Sequence, residues 1–181
     1  MRTNESWSTG CLQVYTGDGK GKTTAAFGLA LRAAGHGLRV YVGQFMKAFP
    51  YGELGGAAAL GGLVEVEQFG SEGCIPWRAK PDPADVARAA AGLARCVEVI
   101  LSGSRDIVVL DEVTAAVHFR LIALEALLGA ADRRPPGLEL VCTGRWAPQE
   151  LIDRADLVTE MREVKHPYAS RRLAARDGIE R

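Results

Sequence analysis

Three glycines and two lysines fall within six residues, Gly17 to Lys22, in the stretch "YTGDGKGKTTAAFG". A loop that short, with that much glycine and positive charge, surrounds an anion. Gly17, Gly19 and Gly21 let successive backbone N–H groups turn toward one centre, and Lys22 adds a point charge. The alanine-rich helical run that follows adds the dipole of its N-terminus. The phosphate-loop pattern G-x-x-x-x-G-K-[ST] is met at its end by Gly21, Lys22 and Thr23, whereas Thr16 stands where the pattern has its first glycine. The Thr23 hydroxyl is placed to bind Mg²⁺, and Asp18, Lys20 and Thr24 complete the loop. The bland alternative, a glycine-rich turn with solvated lysines, does not explain why a strand precedes the loop and a helix follows it.

A nucleotide held this way needs a carboxylate for its metal, usually at the end of a neighbouring apolar strand. "IVVLDE" supplies Asp111 and Glu112. Acidic residues after a strand also serve as helix N-terminal residues; it is the pairing with "GKGKTT" that predicts Mg-nucleotide binding. The reaction does not follow, because one fold hosts many chemistries. Gln44 and Lys47 end the second predicted strand on the side where open α/β sheets bind ligands, although a strand-end lysine is more often simply solvated. His36, after the glycine that closes the first helix, reads as a helix-terminal residue. His118 lies in helical sequence and is assigned no role.

These residues require a frame of alternating strands and helices. Strands are predicted at 11–16, 38–45, 63–69, 106–112, 138–144 and 157–161. Helices are predicted at 22–34, within 51–62, from Pro83 with Val86, Ala90, Leu93, Val97 and Ile100 on its buried face, through "LIALEALLGA", and in "APQELIDRA". The glycine- and proline-rich loop "GSEGCIPWRAKPDP" is long for an interior connection, which favours a functional role. The whole predicts a single α/β domain with a mostly parallel sheet over 11–181, a flexible leader over 1–10 and a basic, polar C-terminal tail lying near the site or a partner subunit.

The 181 residues balance 22 Lys and Arg against 22 Asp and Glu, so a general attraction for nucleic acid is not expected. Cys11, Cys74, Cys96 and Cys142 form no CxxC pair, which argues against a zinc site or a disulfide framework and predicts reduced, mostly buried thiols. No apolar run approaches the ~20 residues of a membrane span and the polar N-terminus lacks a signal-peptide core, so a cytoplasmic location is expected.

Taken together, "TGDGKGKTTAAFGLALRAAGHG", "VGQFMK", "VEQFG", "VVLDEV", "CTGRWAPQELIDRADLVTEM" and "VKHPYASRRLAARDGIE" resemble the ATP:corrinoid adenosyltransferases of the CobA/CobO type, over nearly the whole chain from about Leu12 to Glu180. The Walker elements are generic; "GKGKTTAAFG", the "TGR.AP.ELI..ADLVTEM" segment and "KHPY" with a closing "GIE" are more particular. The resemblance implies a P-loop (RecA-like) α/β fold and a homodimer. It implies an enzyme that moves the 5′-deoxyadenosyl group of ATP to the cobalt of a reduced corrinoid, cob(I)alamin or a precursor, and releases triphosphate. The ribose 5′ carbon is then the electrophile and the corrinoid the nucleophile, so the protein supplies positioning, leaving-group stabilisation and a dry site. Nucleotide in this family is understood to lie in the loop in the reverse sense from ordinary NTPases. A flavoprotein reductase is a possible electron donor.

By position in the motif, Gly17 to Thr24 would bind triphosphate, Thr23 would ligate Mg²⁺, and Asp111 or Glu112 would complete the metal shell directly or through water. Arg145 of "TGR" would be a further phosphate contact, the alternative being a surface ion pair. The family uses aromatic residues after the third strand to displace the lower axial ligand of the corrinoid, in some members within a "GFTW"-like stretch. Here Trp77 falls at the tryptophan, while Cys74 and Ile75 stand beside it with no phenylalanine, so Trp77 either serves that role or packs a loop. His166 of "KHPY" would contact substrate, close the dimer or be structural. A P-loop ATPase that hydrolyses the γ-phosphate, and a corrinoid carrier without turnover, are the competing readings. The carrier has no need of Mg-ATP.

Overall fold

The computed structural model describes residues 9–71 and 80–180. The elements run β1 (Leu12–Thr16), α1 (Lys22–Gly35), β2 (Val40–Phe45), α2 (Gly52–Ala58), β3 (Val64–Phe69), α3 (Pro83–Ser102) and β4 (Ile107–Asp111). They continue with α4 (Val113–His118), α5 (Leu124–Asp132), β5 (Glu139–Thr143), α6 (Gln149–Ile152), β6 (Leu157–Glu160) and α7 (Pro167–Arg171). The six strands form one sheet in the order β3-β2-β4-β5-β1-β6, and every pairing is parallel. The predicted P-loop α/β architecture is therefore what forms, with β5 lying between the strand that carries the glycine loop and the strand that carries the acids.

Continuous apolar runs such as "IVVL" are divided between two faces by the pleat. On one face Val40, Val42, Ile107, Val109 and Val141 pack against Ala26, Ala30, Ala33 and Ala34 of α1. Alanine at these positions lets the helix lie close to the sheet, which fixes where its N-terminus points. On the other face Tyr41, Phe45, Val108, Leu110, Leu140 and Cys142 pack with Leu93, Cys96 and Ile100 of α3 and Leu127 and Ala130 of α5.

Two helical expectations are corrected. The buried stripe of α3 is Ala89, Gly92, Leu93, Cys96, Val99 and Ile100; Ala90 is exposed and Val97 only partly buried. The helix is turned because it approaches β3 closely, where a Cβ at Gly92 would collide with the Phe69 ring. Its start is conventional, with Asp82 accepting from Ala84 N at 2.8 Å and Pro83 opening the first turn. The helical run after β4 is broken in two at Arg120, whose φ is 60°, so that Leu121 and Ile122 can turn inward to the core.

The thiols of Cys96 and Cys142 are wholly buried, and burial pushes both up to about 12. Because the folded state favours the neutral thiol, the associated stability is intact below the ordinary thiol range and is lost as pH rises through about 12. Iodoacetamide attacks thiolate, and at pH 8.5 fewer than about one such thiol in a thousand is ionised. Mass mapping at that pH will therefore find neither residue alkylated in the folded protein and both alkylated in urea. Labelling of Cys142 without denaturant would contradict its placement in the core.

Candidate active site

The glycine loop leaves β1 and wraps the N-terminus of α1. Gly17 and Gly21 adopt φ of 94° and 125°, which side-chain-bearing residues rarely tolerate. Gly17 also lies against the Met161 carbonyl, where no Cβ would fit. Gly19 does not present its N–H to the anion as expected, because it donates to Met161 O at 2.6 Å. The strand end after β6 thus supports the loop from beneath. Lys22 is buried and folds back to donate to Gly17 O at 2.6 Å and Gly19 O at 2.8 Å. Burial lowers its pKa, so its ammonium is held in place at some electrostatic cost.

Asp111 is fully buried at the end of β4 and gathers four donors. Thr23 Oγ1 and Thr143 Oγ1 reach Oδ1 at 2.9 and 2.7 Å, while Gln44 Nε2 and Lys47 Nζ reach Oδ2 at 3.1 and 2.7 Å. Lys47 Nζ is also 3.2 Å from Thr23 Oγ1. The next residue, Glu112, turns into the left-handed region with φ of 60°. It is steadied there by its N–H donating to Thr143 Oγ1 at 3.0 Å. The Glu112 carboxyl faces the cleft and is raised by burial, then by the neighbouring charge of Asp111.

A cleft of about 800 Å³ opens above these groups, lined by Asp18, Gly19, Lys20, Gly21, Lys22, Thr23 and Thr24 from the loop and by Lys47, Glu112 and Arg145. Arg145 is exposed, and its backbone is anchored by Thr114 Oγ1 donating to its carbonyl at 2.9 Å. Beside it His118, to which no role was given, stacks on Trp146 with ring centroids 4.3 Å apart. The C-terminal segment, for which the sequence allows a place near the site or at a partner subunit, closes one wall: His166, Ile179 and Glu180 line the cleft, and Lys20 Nζ donates to Ile179 O at 2.9 Å. His166 also accepts from Tyr168 N at 3.2 Å and caps α7. Trp77, Cys74 and Ile75 lie outside the described residues.

A model of the family "ATP:corrinoid adenosyltransferase BtuR/CobO/CobP" matches residues 8–181. The chain belongs to this family. The adenosyltransferase is 38% identical over 160 residues to "Corrinoid adenosyltransferase CobA" of Salmonella typhimurium, covering 88% of this chain and 80% of that protein. It is 36% identical to "Corrinoid adenosyltransferase" of Escherichia coli K12 over the same shares. The protein of that name from Pseudomonas aeruginosa is 34% identical over 178 residues, covering 94% and 83%. The chain is thus a transferase of the corrinoid adenosyltransferase type, as its motifs imply.

Within this adenosyltransferase, sequence reasoning undervalued Lys47 and Gln44 and missed Thr143. The available signal was a polar side chain at the C-terminal end of an otherwise apolar buried strand, in "VYVGQF" and "LVCTG". Such a group is costly unless it has a partner.

Proposed function

We propose that this enzyme positions ATP with its triphosphate on the loop of Gly17 to Thr24 and its ribose 5′ carbon toward a reduced corrinoid, cob(I)alamin or a precursor. The corrinoid cobalt donates an electron pair to the 5′ carbon, the C–O bond to the α-phosphate breaks, and triphosphate leaves. The observation that carries this reading is the 2.9 Å contact of Thr23 Oγ1 with Asp111 Oδ1. It joins the phosphate loop and the acidic strand within a chain matched by the family over 8–181.

The oxygen donors of Thr23 and Asp111, with Glu112 alongside, suit Mg²⁺, which takes one or two carboxylates and substrate phosphates. Bound there, Mg²⁺ would supply charge to the phosphate oxygens and ease departure of the triphosphate. The chain's own part is electrostatic: Lys22, Lys20, Lys47 and Arg145 surround the space where leaving-group charge develops. Thr143 and Gln44 act as positioning residues by fixing the two oxygens of Asp111. The reading extends to a homodimer, an electron-donating flavoprotein reductase and a cytoplasmic location, with residues 11–181 working as one nucleotide-binding domain. No helix among the described residues is long and apolar enough to cross a membrane.

The test is anaerobic incubation with Mg-ATP and chemically reduced cob(I)alamin, following the corrin spectrum and the phosphate product together. Adenosylcobalamin will form with one triphosphate per corrin. ADP and orthophosphate with an unchanged corrin would instead assign the cleft to an ATPase.

A further inference from the structure

Lys47 stands where a divalent cation would. Its ammonium rests 2.7 Å from Asp111 Oδ2 and 3.2 Å from Thr23 Oγ1, on the carboxylate and hydroxyl that the reading above gives to the metal. A metal–oxygen distance is about 2.1 Å, so an ammonium on these atoms and a metal on the same atoms exclude each other.

The base of the side chain is fixed and its tip can move. Gly70 N donates to Lys47 O at 3.0 Å, and a Cβ at Gly70 would collide with the Lys47 backbone. The preceding Met46 has a left-handed φ of 59°. These features aim Lys47 into the cleft, where its four-carbon stem carries a charge that is 5.6 Å from the centre of the Tyr51 ring. Asp111 is not stranded if the ammonium leaves, because Gln44 stays on the same oxygen at 3.1 Å. Gln44 is itself oriented by Gln68 Nε2 donating to its Oε1 at 3.0 Å.

We propose that Lys47 is a displaceable internal counter-ion, held on Thr23 and Asp111 until a triphosphate draws its ammonium away, so that the divalent metal enters with the nucleotide rather than before it. Lys47 lines the same cleft as the phosphate loop, so an ammonium leaving Asp111 finds phosphate oxygens within the swing of its own side chain. Metal and triphosphate then help each other to bind, and the coupling is reciprocal. The inference rests on the assignment of Thr23 and Asp111 as the metal position.

Mn²⁺ is the probe, with protein-bound metal read by electron paramagnetic resonance, without nucleotide and with inorganic tripolyphosphate. Lys47→Met will bind Mn²⁺ alone about tenfold more tightly than wild type, and will bind metal-free tripolyphosphate about tenfold more weakly. Adding Asp111→Asn to Lys47→Met will remove the gain in metal affinity. Equal Mn²⁺ affinity of wild type and Lys47→Met, or a gain that survives Asp111→Asn, overturns the proposal. If wild type holds no Mn²⁺ even with tripolyphosphate, the metal assignment itself falls, and the inference with it. Lys47→Gln, which can still donate to Asp111, serves if the methionine variant does not fold.

Discussion

Asp111→Ala will abolish adenosyl transfer and destabilise the protein by about 1–3 kcal/mol, because it leaves the buried Gln44 amide and Thr143 hydroxyl without their acceptor. The Lys47 ammonium, the Gln44 amide and the Thr23 and Thr143 hydroxyls all converge on this carboxylate. Asp111→Asn separates charge from shape. Its amide nitrogen can sit on the threonine side and donate to a hydroxyl oxygen, but the buried Thr143 hydroxyl then loses the acceptor for its own proton, costing about 1–3 kcal/mol, while the anionic oxygen is gone. Transfer is expected to fall on the order of 10³-fold in a protein that still folds. Urea unfolding and the rate of adenosylcobalamin formation, measured on both variants, check the two parts. An asparagine variant with near wild-type transfer would remove Asp111 from the metal site.

Lys22→Ala will reduce kcat by about 10²–10³-fold with little change in stability. In the present arrangement its ammonium closes the loop through the carbonyls of Gly17 and Gly19. Burial lowers its pKa first, opposed by Glu112. Removing the side chain therefore relieves a desolvation cost while forfeiting two hydrogen bonds, and the net shift in stability stays within about 1.5 kcal/mol. Catalysis has no such offset, because a fixed charge beside a departing triphosphate acts most strongly when leaving-group charge has developed. A variant that bound ATP normally yet transferred at the wild-type rate would show that the loop lysine is only structural.

The anion loop was legible because its chemistry is local. Glycines at 17, 19 and 21, a lysine and a threonine in register at the start of a helix specify one another within a single turn of chain. β4 was legible for a similar reason, since a continuous apolar run ending in Asp111 and Glu112 is typical of a central parallel strand, with its polar residues at the carboxyl end of the sheet. The same periodicity placed β1, β2, β3, β5 and β6 to within two residues, and the motifs along the chain pointed to the family that matches residues 8–181.

What the sequence left open depends on which strands become neighbours. Thr143 is 32 residues from Asp111 and reaches it only because β5 is inserted between β1 and β4; nothing in "LVCTG" by itself announces that neighbour. Lys47 is 64 residues from Asp111, and on its own it reads as a solvated strand end. Its pairing follows from β2 lying directly beside β4, with Gln44 in register with Asp111. The stripe of α3 was misread by one residue because a 3.6-residue period admits adjacent solutions, and the contact of Gly92 with Phe69 chose between them. Local sequence determined the loop, the strands and the chemistry they could carry. Sheet order and close packing decided which buried polar groups meet, because those contacts join residues far apart in the chain.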